Sequence, residues 1–159
     1  MSEEKLSAQF EGAVRFQSAF MGLALAYKQK YGDEAREVAK AFAKQLGLKL
    51  GNQLRENLGV VGSDLTAIER VLHAWQDPVV SGRPPKSKIE GKKLIMTREA
   101  PTQCPAMAVA KQMKLPVEMV CNTVAFPMFR GVAEAVNPKA KHTSVKIASK
   151  ECIDAIEVP

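Results

Sequence analysis

The chain has 159 residues, 46% of them apolar and 25% charged, with a net charge of +6 and a pI near 9.3. That length suits one domain with one sizeable core, and the regularly spaced apolar residues exclude an intrinsically disordered chain. No apolar run approaches the ~20 residues of a membrane helix. The start, MSEEKLSAQF, is acidic and polar rather than a secretory signal, so a cytoplasmic protein with no membrane partner is expected.

The first eighty residues read as helical. Phe16, Phe20, Leu23 and Tyr27 fall on one helical face, and Gly32-Asp33 breaks this helix and starts the next. Val38, Ala39, Phe42 and Leu46 mark the second helix. Both stripes are expected to face the core. Gly47, Gly51 and Gly59 predict a bend or break before Val61. Ser63-Asp64 is a good N-cap for a third helix, whose seam is Leu65, Ile68, Leu72, Trp75 and Val79. Pro78 is expected to end it near Asp77. His73, beside that seam, is expected on the surface or in a hydrogen bond.

Composition shifts at Val80. KIEGKKLIMTRE reads as two short strands turning at Glu90-Gly91. A helix is expected from Pro105 to about Lys114, and another beginning at Pro116 and carrying Val117, Val120, Cys121 and Val124. Pro127 kinks or restarts it, and Phe129, Val132, Ala133 and Val136 continue a face up to Asn137-Pro138. At the end, Val145 and Ile147 mark one strand, and Cys152, Ile153, Ile156 and Val158 the other, with a turn at Ser149-Lys150. His142 precedes this hairpin in a lysine-rich stretch and reads as a solvated turn residue. Tight turns between neighbouring strands make the sheet antiparallel. The predicted class is therefore α+β in a single domain, 1–159. A helical N-terminal portion (1–80) packs on a small antiparallel sheet with two further helices (81–159).

The basic run from Arg83 to Arg98 holds Lys86, Lys88, Lys92 and Lys93 against only Glu90. No aromatic interleaves it, so a nucleic-acid partner is not expected. No GxGxxG, GK[ST], GxSxG or HExxH motif occurs.

The cysteines carry the functional signal. There are three, Cys104, Cys121 and Cys152, all in the last third and none in a CxxC pair. An odd, dispersed set reads as reduced thiols rather than a disulfide framework. Pro105 fits the first position of a helix, which places Cys104 at the N-cap, where unpaired N–H groups and the helix dipole favour thiolate. Arg98 would add to this. Two readings stay open: a reactive thiolate, or an inert core cysteine. A reactive Cys104 would be a nucleophile with His142 as its base. Cys104, Cys121 and Cys152, with His142, would also make a site for zinc or another thiophilic metal, although no short ligand pair supports it.

The segments REAPTQCPAMAVAKQM, PVEMVC, FPMFRGVAEAVNP and VKIASKECIDAIEVP share a further pattern. They combine a Cys-Pro helix start, a second cysteine before a helix with an Asn-Pro end, and a third cysteine in the last strand. In this the region from about Lys88 onward resembles the L-2-amino-thiazoline-4-carboxylic acid hydrolase-like family. More distantly it resembles small-molecule-binding domains of the 4-vinyl reductase type. The resemblance implies helices packed on an antiparallel sheet around a small-ligand pocket. It implies water opening a cyclic amidine-type C–N bond, with Cys104 as nucleophile or ligand, Cys121 and Cys152 lining the site, and Arg98 binding an anionic group. VCNTVAFP has no aspartate after Cys121, where members of the family often carry one, so no water-activating carboxylate comes with it. Three functions follow as alternatives: this hydrolase, a non-catalytic sensor or carrier of a ligand or metal, and an interaction module that forms a homodimer through the long first helix.

Overall fold

The computed structural model describes residues 3–99, 103–148 and 151–159. The chain runs α1 (Glu3–Tyr31), α2 (Asp33–Asn57), α3 (Leu65–Gln76), β1 (Lys86–Glu90), β2 (Lys93–Glu99), α4 (Pro105–Met113), α5 (Val117–Val120), α6 (Phe126–Val136), β3 (Lys141–Ile147) and β4 (Glu151–Glu157). This is the α+β arrangement expected, with helices on one antiparallel sheet.

Local chemistry accounts for most boundaries. Asp64 caps α3 by accepting from the Ala67 N–H at 2.8 Å, which satisfies one of the unpaired donors at the helix start. Pro78 sits in a short 3-10 turn, Asp77–Val79, directly after α3. Gly91, at φ 59°, makes the turn between β1 and β2. The turn expected at Ser149-Lys150 lies outside the described residues.

The segment before α6 contains a wide turn. Pro127 has no N–H to donate four residues back. There the helix widens into a π turn over Cys121–Ala125, and the Phe126 N–H bonds to the Cys121 carbonyl, five residues earlier.

α2 differs from expectation. It runs unbroken through Gly47 and Gly51. These glycines are its contact surface with α6, the most extensive helix pairing in the molecule. A Cβ at Gly47 would lie 2.1 Å from the Met128 carbonyl oxygen, and one at Gly131 would lie 2.2 Å from the Lys44 carbonyl oxygen. The missing side chains let two backbones approach, which offsets their poor helix propensity.

The stripes expected to be core on α1 and α2 also differ. Met21 and Ala24 of α1 and Ala43 of α2 are buried, whereas Leu23, Tyr27, Val38 and Phe42 are exposed. On α3 the expected seam holds: Leu65, Ile68 and Leu72 are buried.

The sheet order is β1-β2-β4-β3, antiparallel throughout. Directly paired residues share a face, so its inner surface can be read as rows. Leu94 pairs with Ile156, and Ile156 with His142. Met96 pairs with Asp154, and Asp154 with Ser144. Arg98 pairs with Cys152, and Cys152 with Ile147. A register shift between Ser144 and Lys146 leaves Val145 as the extra, exposed residue and brings Ile147 opposite Cys152. Leu94, Met96 and Ile156 close one core with Ile68, Leu72, Phe129 and Val132. A second core joins Met21, Ala43, Val109, Val120 and Met128. The Arg98–Cys152 row lies at the sheet end between them.

Candidate functional site

A cavity of about 310 Å³ opens at that sheet end, within the size range of small-molecule sites. α1 supplies Phe16 and Gln17, the end of α3 supplies Trp75 and Gln76, and α6 supplies Phe126 and Phe129. Arg98, Cys152 and Asp154 come from the sheet, Cys104 from the start of α4, and Cys121 from the π turn. A two-bond bridge between Ser81 and Gln103 pins the chain ahead of Cys104: Ser81 N to Gln103 O is 2.9 Å and the reverse bond is 2.8 Å. The structure thus brings Cys104, Cys121, Cys152 and Arg98 to one cavity.

The polar centre is Asp154. Its Oδ2 accepts from Arg98 at 2.5 Å and its Oδ1 from His142 Nε2 at 2.9 Å. Arg98 also donates to Gln76 Oε1 at 2.7 Å, and its guanidinium lies 5.7 Å from the centre of the Phe129 ring. Side-chain exposure is 4% for Asp154, 11% for Arg98 and 1% for His142. Burial opposes ionisation of Asp154, but the hydrogen bond from His142 and the Arg98 charge outweigh it and hold the carboxyl below its usual range.

His142 is neither a solvated turn residue nor the partner of Cys104. It stands in β3, buried, with its ring packed 4.7 Å from Phe129 and 5.1 Å from Phe126, centre to centre. Facing a carboxylate, Nε2 carries the proton, and Nδ1 is buried without a partner. His142 therefore acts on Asp154 from behind. Asp154 itself was missed by the sequence reading. Its signal was parity: Asp154 lies two residues from both Cys152 and Ile156, so it shares their inward face, where a carboxylate requires a partner.

The expected activation of Cys104 is also corrected. Burial pushes its thiol up, against the smaller opposing pulls of the Met107 N–H and Arg98. Burial drives the Cys121 thiol up as well, with the other two cysteines adding to it. A helix N-terminus favours thiolate, but desolvation is the larger effect here. Among the described residues no group of three or more His, Cys, Asp or Glu is placed to hold a metal ion. The cysteine set expected for zinc is thus a set of cavity walls, not a ligand cage.

Gln17 of α1 also belongs to the cavity wall. Gln17 is buried, and its Oε1 has no hydrogen-bond partner. An unmade bond of this kind is costly, ~1–3 kcal/mol, unless a ligand or water completes it.

His73 is hydrogen-bonded: Nδ1 lies 2.9 Å from Asp77 Oδ1 and Nε2 2.7 Å from Ser87 Oγ. The Ser87 hydroxyl is also 2.5 Å from Glu69 Oε1, so its proton is already engaged. The basic run is not one surface either. Lys86 pairs with Glu99 and Lys88 with Glu90, while Arg98 points inward. Among the described residues no helix is long and apolar enough to cross a membrane. Comparison with protein-family models, curated proteins and solved structures gives no match to this chain.

Proposed function

We propose that the protein binds a small, largely apolar molecule in the cavity, with an N–H or O–H group donated to Gln17. The apolar-walled cavity carries this reading, with Gln17 in its wall and the Gln17 Oε1 buried there without a partner. The aromatic walls suit a flat or branched apolar body. The Arg98–Gln76–Asp154 edge orients whatever polar group reaches it. The amidine-type ring implied by the family resemblance has an N–H donor and fits the same requirement.

Binding is favoured over turnover by the state of the reactive groups. Protonated thiols are poor nucleophiles. A carboxylate already bonded to Arg98 and His142, with its proton affinity lowered, is a poor base. The non-catalytic carrier or sensor is therefore preferred to the hydrolase.

Trp75 is the only tryptophan and lines the cavity, so its fluorescence reports occupancy. Titration with 3-phenylpropionamide should saturate. Methyl 3-phenylpropionate, which lacks a donor, should bind about 3- to 10-fold more weakly, the value of one net hydrogen bond. Gln17→Leu should abolish that difference. If neither probe gives saturable change at millimolar concentration, or if Gln17→Leu leaves the difference intact, this reading fails.

A further inference from the structure

α1 is a 29-residue helix. Among its described side chains only Gln17, Met21 and Ala24 are buried. Its neighbouring stripe stays open, with Phe16 43%, Leu23 60%, Tyr27 53% and Tyr31 56% exposed. On α2, Val38 is 65% and Phe42 57% exposed. The two stripes form one surface. Phe20 stacks on Phe42 with ring centres 6.0 Å apart, Phe16 lies 6.1 Å from Phe20, and Tyr27 lies 5.6 Å from Tyr31. Phe20, Leu23, Tyr27, Tyr31, Val38 and Phe42 line a shallow apolar groove of about 510 Å³, and Phe16, at its end, belongs to the wall of the ligand cavity.

We infer that this face is where a second copy of the chain docks, two helix pairs forming a four-helix layer about a two-fold axis. The area is the first argument. The five exposed side chains of the groove, Leu23, Tyr27, Tyr31, Val38 and Phe42, are somewhat over half exposed; at ~200 Å² each when free they leave about 580 Å² of surface. That lies at the upper end of the ~300–600 Å² of the largest patch on a typical monomer and is the larger part of the ~800 Å² per partner of a stable interface.

The second argument is self-complementarity. Phe20 and Phe42 meet across the bend at Gly32, φ 76°, so α1 and α2 form an antiparallel hairpin with one apolar side. Phe16, Phe20, Leu23, Tyr27 and Tyr31 follow the three-four spacing of a helix-packing seam. An antiparallel pair with such a face meets its own image under two-fold rotation, so each helix finds an equivalent groove.

The third argument is charge. Ions of both signs border the face: Lys28 pairs with Asp33 at 2.9 Å and Lys40 with Glu37 at 2.6 Å, Lys30 lies over the Tyr31 ring, and Glu34 lines the groove itself. No single-sign border there repels a second copy, and none marks the face for an anionic lipid surface.

Sedimentation equilibrium of the full chain from 1 to 200 μM tests this directly. The wild type should approach twice 17.3 kDa. Leu23→Glu on α1 and Val38→Glu on α2 should each weaken association at least 100-fold and give monomers at 20 μM. Circular dichroism of each should remain that of the folded chain, since both residues are exposed within it. The two variants lie on different helices, so misfolding of one leaves the other informative. A folded wild type that stays monomeric at 200 μM overturns the inference. So does a dimer that survives both substitutions. A monomer that co-sediments with phosphatidylcholine–phosphatidylserine vesicles would replace the second copy with a membrane.

Discussion

Asp154→Asn keeps the side chain's shape and removes its charge. Arg98 would then remain in the cavity wall with only the Gln76 oxygen and the Phe129 face as partners. Removing one member of a buried ion pair costs ~3–5 kcal/mol, chiefly because the other charge is stranded. The asparagine oxygen can still accept from His142, so the lower end applies, about 3 kcal/mol. For a chain of this length that is roughly a 6–12 °C fall in Tm. Arg98→Met strands the carboxylate instead, with His142 as its remaining partner, and should cost about as much. The double variant strands nothing. Its cost should fall short of the sum by about 2–3 kcal/mol, the range expected of coupled neighbours. Urea unfolding at pH 7, followed by Trp75 fluorescence and circular dichroism, gives all four stabilities, provided the m-values agree. An Asp154→Asn cost below about 1 kcal/mol, or an additive double variant, would refute the claim that this pair is buried and mutually dependent.

Other predictions follow from packing and protonation. Gly131→Ala places a Cβ against backbone atoms of Lys44 and Leu48, so α2 must shift; the net loss should be about 1–3 kcal/mol despite better helix propensity. Gly22→Ala, with nothing within 4 Å, should instead stabilise by up to ~1 kcal/mol, and thermal unfolding of the two variants should move in opposite directions. Because the Asp154 carboxyl is held below its usual range, its contribution is present above the unfolded value of ~3.9 and lost as pH falls through the lower folded value. Below pH 4 the wild type should therefore lose stability more steeply than Asp154→Asn. Cys104 and Cys121 behave oppositely: their raised values keep the folded state favoured below the unfolded ~8.5, and stability declines as pH rises beyond it. At pH 7.5, iodoacetamide should modify both thiols far more slowly than a free cysteine, the buried Cys121 at a rate set by opening of the fold and the half-buried Cys104 because its thiol stays protonated. Rapid labelling of Cys104 would show that the helix end, not burial, governs it.

Much of the fold was legible in sequence because it rests on local rules. Asp64 as cap, Pro78 after a helix, Gly91 in a tight turn and Pro105 at a helix start each act within a few residues. Hydrophobic period gave the elements, and the spacing of tight turns gave an antiparallel sheet. The cysteines were legible as a cluster in the chain, and the structure joins them in one cavity.

What tertiary structure decided is which surface each element turns inward and what surrounds each charge. Periodicity marks an apolar face without saying what covers it, so Phe16, Leu23 and Tyr27 read as core although Gln17, Met21 and Ala24 are the buried side. Propensity counts Gly47 and Gly131 as weaknesses, while contact between α2 and α6 makes them necessary. A helix N-terminus says that Cys104 should ionise; only its burial reverses the sign. The link between Arg98 and Asp154 spans 56 residues, and no local pattern contains it. Local structure is set by interactions within a turn or two of the chain, whereas desolvation and ion pairing depend on atoms that become neighbours only when the sheet closes against the helices.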